Sequence, residues 1–210
     1  MNIISPINQL GYGIAGLNIV KSLSKLTKVC LWPIGQPQVV NQTDADIISK
    51  ALQNAMLFDP DKPCIRIWHQ HDMSQFVGKS KRIGFPIFEL DEFNTVEKHH
   101  LNTLDTIFVC SSWAKSVIVN NTKINSDNIH IVPLGVDQEI FNTNSKSQSE
   151  KTIFFNCGKW EIRKGHDIIP EIFNKAFEKD DNVELWMMNS NPFIRPEDTK
   201  AGKIYIIPQN

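Results

Sequence analysis

Apolar residues recur along this chain in two rhythms, short uninterrupted runs and longer stretches with helical spacing. The alternation predicts strand–helix–strand units around a parallel sheet. Asn2–Ser5 reads as a first strand, followed by a turn carrying Gly11, Gly13 and Gly16 and a helix with Ile14, Leu17, Val20 and Leu23 on one face. Lys21, Lys25 and Lys28 fall on the other face. A second strand is expected over residues 29–32, then a helix over 44–57, capped by Thr43, whose stripe is Ile47, Ile48, Ala51, Leu52 and Ala55. Further strands are predicted at Cys64–Trp68, 82–85, 106–110 and 129–132, with helices over 94–104 and 113–120, the latter capped by Ser111-Ser112.

Periodicity stops in the polar run 142–149, which reads as a linker, and resumes with a strand over 152–156, a helix over 166–177 and strands over 183–188 and 203–207. Pro170 is compatible with that helix's first turn. The expected organisation is an α/β fold of Rossmann-like type, a parallel sheet with helices on both faces over residues 1–150, and the beginning of a second such domain over 151–210. Two and a half elements do not close a doubly wound domain, so the second one is expected to be cut short.

Composition changes this picture little. The chain has 210 residues, 41% hydrophobic, which is enough for a packed core and excludes a disordered chain. A net charge of −1, balanced on both sides of the linker, argues against wholesale nucleic-acid binding. The amino terminus shows neither a basic lead nor a long apolar run, and a cytoplasmic protein is expected, with peripheral contact to the inner membrane surface through Lys21, Lys25 and Lys28 as an option. Cys30, Cys64, Cys110 and Cys157 sit in or beside apolar runs with no CxxC spacing and read as buried, reduced thiols.

Ligands of open α/β sheets bind beyond the carboxyl ends of the strands, so chemistry is sought there. The first strand delivers Gly11-Tyr12-Gly13, the strand Cys64–Trp68 delivers His69-Gln70-His71-Asp72, and the next leads to Glu89, Asp91 and Glu92. In the second unit, Gly158-Lys159-Trp160-Glu161-Ile162-Arg163-Lys164-Gly165 places three cations between two glycines at the entry to an expected helix. Free backbone N–H groups and positive side chains suit a diphosphate, and a solvated basic turn is the competing reading. The loop is no Walker A motif, because no Ser or Thr follows the lysine. His69 and His71 alternate at i, i+2, but no further Cys/His cluster completes a metal site, so no metal is expected.

Taken in order, these stretches resemble family 4 glycosyltransferases. The resemblance rests on Gly158–Gly165 with His166-Asp167, on Val132-Pro133-Leu134-Gly135-Val136-Asp137 with Phe141, and on His69-Gln70-His71-Asp72. Phe85-Pro86-Ile87-Phe88-Glu89-Leu90, Phe108-Val109-Cys110-Ser111-Ser112-Trp113-Ala114-Lys115 and Glu184-Leu185-Trp186-Met187-Met188 extend it over nearly the whole chain. It implies a GT-B architecture and metal-independent transfer of a sugar from a nucleotide-diphosphate-sugar to a saccharide or lipid-linked glycan acceptor, with retention of configuration. It further implies that Lys159 or Arg163, with Lys164, stabilises the departing diphosphate while Gly158 opens their loop, and that the Gly11–Gly13 loop approaches the phosphate. His71, or else His69, would stand near the transferred sugar, and Glu89, Asp91, Glu92 and Asp72 would be candidates for acceptor hydroxyls. The family's paired glutamates seven residues apart are missing from the second domain; Glu89 and Glu97 match only the bare spacing, and their match is read as accidental. The chain alone is therefore expected to have little transferase activity. A non-catalytic module binding a glycan or a partner is the alternative, and a dinucleotide-dependent oxidoreductase is disfavoured because no acidic ribose ligand follows Gly16 at the required distance.

Overall fold

The computed structural model describes residues 1–142, 150–190 and 202–206. Residues 143–149 of the linker expected over 142–149, residues 191–201 and the chain beyond 206 lie outside the described residues. Two compact units, Met1–Asp137 and Gln138–Asn210, divide the chain.

In the first unit the order is β1 (Asn2–Ser5), α1 (Gly11–Ser24), β2 (Cys30–Pro33), α2 (Gln42–Ala55), β3 (Cys64–Trp68), β4 (Arg82–Pro86), α3 (Thr95–Asn102), β5 (Thr106–Val109), α4 (Ser112–Asn121) and β6 (Ile129–Ile131). All six strands are parallel, in the order β2-β1-β3-β4-β5-β6. Register explains the two-faced core. Ile3 lies beside Leu31 and Ile65, and Ile65 beside Ile83, so one face carries a β-branched and leucine row that packs with Leu17, Val20, Ile48 and Ala51. Ile107 pairs with Gly84 on the opposite face, where Val109, Leu101, Leu104, Ala114, Val117 and Ile118 form a second cluster. A sheet buried on both sides needs such near-continuous apolar strands, and the α/β expectation holds.

Several local expectations are corrected. The buried face of α1 is Gly13, Gly16, Leu17 and Val20, while Ile14 stays exposed. A Cβ on Gly16 would collide with Ser5 Oγ and the Pro6 carbonyl, so the missing side chain lets α1 lie directly on β1. The helix ends at Ser24, which puts Lys28 beyond it. Lys21 pairs with Asp44 at 2.7 Å and Lys28 donates to the Leu57 carbonyl at 3.2 Å, so two of the three lysines have partners within the fold. Asn41, rather than Thr43, caps α2 by accepting from Asp44 N–H at 2.8 Å, which starts the helix earlier. Cys30 and Cys64 are buried as expected, Cys110 is half-buried and Cys157 exposed, and all four are free thiols.

The second unit contains β7 (Thr152–Lys159), a 3-10 turn (Ile162–Lys164), α5 (Ile169–Ala176), β8 (Val183–Ser190) and β9 (Gly202–Ile206). β7 and β8 are parallel, but β9 joins β8 antiparallel, a correction to the all-parallel expectation. Phe173, Leu185 and Met187 form its small core under α5. No helix among the described residues is long and apolar enough to cross a membrane.

Candidate functional site

The strand order of the first unit turns back between β1 and β3: β2 lies on one side of β1 and the later strands on the other. Such a switch point leaves a crevice at the carboxyl ends, because the crossovers depart in opposite directions. Tyr12 arrives there on the first turn of α1 and His69 on the residue after β3. The Tyr12 hydroxyl lies 2.9 Å from His69 Nδ1 and also donates to the Ile87 carbonyl beyond β4. Three carboxyl ends are thereby tied together by one phenol. Its pKa is pushed up to about 12, first by burial and then by the nearby Glu89 carboxylate and Cys110.

The imidazoles stand in an aromatic cluster. His69 and His71 stack at 5.0 Å with 17° between planes, and His69 also meets Trp68 at 4.7 Å and Tyr12 at 4.5 Å. Burial, then the neighbouring His71, lowers the His69 pKa from the ordinary imidazole value, with Asp72 opposing. His71 is exposed.

Behind them the loop is pinned from below. Arg66, buried on the sheet face opposite the first cluster, bonds the Asp72 carboxylate at 2.6 Å and the Asp72 carbonyl at 2.8 Å. Gln70, also buried, donates to Glu97 Oε1 at 2.9 Å, and His100 Nδ1 accepts from the Met73 amide at 3.1 Å. Glu97 completes a capping box with Asn94, which starts α3. The residue whose spacing from Glu89 was accidental is thus a buried anchor. Asp72 belongs to this anchor through Arg66, which occupies its Oδ2.

The other predicted residues divide. Glu89 comes close enough to Tyr12 to raise its pKa. Asp91 and Glu92 are exposed on the following turn, where Asn121 holds the Asp91 carbonyl at 2.9 Å. A Cβ on Gly13 would collide with Asn8, so that glycine is required by its own turn, whereas a Cβ on Gly11 would meet nothing within 4 Å. Sequence reasoning missed the contact of Tyr12 with His69. The signal was an aromatic hydroxyl between two glycines in the turn that leads from β1 into α1.

In the second unit the strand runs further than expected, carrying Gly158 and Lys159 within β7. The three cations converge on an internal carboxylate: Glu161 meets Lys159 at 2.6 Å, Arg163 at 3.2 Å and Lys164 at 3.6 Å. Its pKa is lowered, chiefly by the Lys159 hydrogen bond; burial opposes this next, and the charges of Arg163, Lys159 and Lys164 lower it further. The expected helix does not start after Gly165. That residue takes the left-handed conformation at φ 72°, closing the 3-10 turn, and α5 begins only at Ile169 with Pro170 in its first turn. Its N-terminal dipole is displaced from the cations by that intervening turn. His166 is buried instead of helical and accepts from the Glu161 amide at 3.1 Å, stapling the loop. A Cβ on Gly158 would come 3.8 Å from Lys164 Nζ. Beside Gly158, across the strand pair, lies Asn189, buried with neither side-chain polar atom bonded. Among the described residues no group of three or more His, Cys, Asp or Glu could hold a metal ion.

No protein-family model matches this sequence, and no curated protein matches it. Among solved structures, it is similar to one titled "Crystal Structure of TarM", with a TM-score of 0.49 and 15% identity, over 75% of this chain and 33% of that one. The chain thus spans a third of the length of that protein.

Proposed function

We propose that this chain is part of a family 4 retaining glycosyltransferase of GT-B type, acting on a nucleotide-diphosphate-sugar donor and a saccharide or lipid-linked acceptor. The observation that carries the reading is the meeting of Tyr12, His69 and Glu89 at the switch point of a doubly wound sheet. The ordered resemblance of the surrounding motifs supports it independently. Hydrogen-bonding side chains beside stacked aromatic rings suit a polyhydroxylated ligand with apolar ring faces. In the second unit Lys159, Arg163 and Lys164 would receive the diphosphate. Fixed positive charge at the departing oxygens is worth a few kcal/mol of barrier where water is excluded.

Within that reading Glu161 has a definite consequence. It supplies the cations with a counter-ion, so a diphosphate competes with it for them. Titration calorimetry with inorganic pyrophosphate tests both halves. Lys164→Ala is expected to weaken binding about tenfold, the loss of one charge-assisted contact. Glu161→Gln should strengthen it severalfold at low salt, by a margin that shrinks as salt screens the site. Equal affinity in wild type and Lys164→Ala refutes the basic-loop assignment.

A further inference from the structure

Tyr12 and His69 lie on separate crossovers and meet only in the folded chain. A phenol carries one proton, and a carbonyl oxygen can only accept, so the contact with Ile87 fixes where the Tyr12 proton points. With its pKa near 12, Tyr12 keeps that proton at neutral pH. What the phenol oxygen offers His69 is therefore a lone pair, and Nδ1 must carry the hydrogen between them. In a neutral imidazole the other nitrogen is then an acceptor. Burial favours the neutral ring. Stacking on His71 and tilted contacts with Trp68 and Tyr12 restrain rotation of the ring, so the acceptor has a fixed direction. Among the described residues Nε2 has no hydrogen-bond partner.

We propose that Tyr12 is a positioning residue that holds His69 as its Nδ1–H tautomer, so that Nε2 accepts a hydrogen bond from a hydroxyl of the sugar ligand at the crevice between β1 and β3. The identity of the ligand rests on the glycosyltransferase reading; the tautomer does not. His71 is the stacking partner that helps fix the ring plane, and His69 is the imidazole that meets the ligand. Free histidine favours the opposite tautomer, so an unassisted ring would present an N–H there and could only donate to the ligand hydroxyl, leaving the hydroxyl's own proton without this acceptor.

Long-range nitrogen–proton NMR correlation of the histidine rings in the full chain reads the tautomer directly. In wild type, His69 should show a pyrrole-type Nδ1 and a pyridine-type Nε2 at pH above its titration. Tyr12→Phe keeps the ring and its stacking but removes the oxygen. It should shift His69 toward the Nε2–H form and weaken binding of the nucleoside diphosphate sugars that wild type binds by about five- to tenfold, while leaving pyrophosphate affinity unchanged. A purely structural role for Tyr12 would move the unfolding midpoint but not the tautomer. An Nε2–H tautomer in wild type overturns the proposal without need of any variant, as does an unchanged His69 spectrum in folded Tyr12→Phe. If wild type shows the Nδ1–H form yet binds no nucleotide sugar from a panel of bases and hexoses, the sugar reading and the ligand half of the proposal fail, and the tautomer assignment stands.

Discussion

His69 has a titration signature that separates it from the carboxylates of the chain. Its folded pKa is lowered, so between that value and the unfolded value of about 6.5 the unfolded chain binds more protons than the folded one. The contribution of a neutral His69 to stability is therefore complete above about pH 6.5 and is lost as pH falls through the folded value. The groups around it are His71, Asp72 and the Tyr12 hydroxyl; Asp72 opposes the shift and the first of them adds to it. Glu161, Glu171 and Glu184 have lowered pKa values through their lysine partners, so their contributions fade only in the carboxylate range below about pH 4.5. Urea unfolding at about pH 7.5 and about pH 5.5 checks this. The wild-type midpoint should fall more between the two than that of His69→Gln, which cannot titrate. Parallel losses in both proteins would mean that the imidazole is not neutralised by folding.

Among the elements, the loop from His69 to Met73 matters most, because its rigidity comes from side chains behind it. Glu97 supplies two of those supports, an acceptor for buried Gln70 and the return bond of the α3 capping box to Asn94 N–H. Glu97→Ala leaves a buried amide unpartnered, at about 1–3 kcal/mol, and removes half of the cap at up to about 1 kcal/mol. Equilibrium urea denaturation is expected to show a loss of about 1–4 kcal/mol; a change below about 0.5 kcal/mol, the size of an ordinary surface substitution, would mean that the anchor carries no weight. Strands β1 and β3 were legible to the residue because their apolar runs are bounded by turn residues and buried on both faces. Helix starts were less so, since Asn41 and Asn94 lie just outside the apolar stripe and cap through geometry that a pattern does not display. The stretch after Gly158 misled for another reason. A helix was expected from residue 166, but a buried His166 and the turn that follows the left-handed Gly165 delay its start to Ile169. The antiparallel direction of β9 leaves no mark on its own residues, because direction is a property of the pairing.

For the molecule as a whole, the candidate site was half readable. Strand ends nominated His69, Glu89 and the basic loop by position alone, which is where a doubly wound sheet puts its chemistry. What position did not reveal is long-range pairing: the Tyr12 phenol on His69, Arg66 on Asp72, and Glu161 as the shared counter-ion of three cations. On the proposed reading the two units take separate tasks, hydroxyl recognition at the β1–β3 crevice of the first and diphosphate binding at the cationic loop of the second. One calorimetric comparison tests that division most directly. Nucleoside diphosphates and the corresponding nucleotide sugars are titrated into wild type, His69→Gln and Lys164→Ala. The account predicts that Lys164→Ala weakens both ligands alike, whereas His69→Gln weakens only the sugar-bearing one, by about five- to tenfold. Binding of both ligands that is indifferent to either substitution, or a His69→Gln loss of equal size for the sugar-free diphosphate, would contradict it.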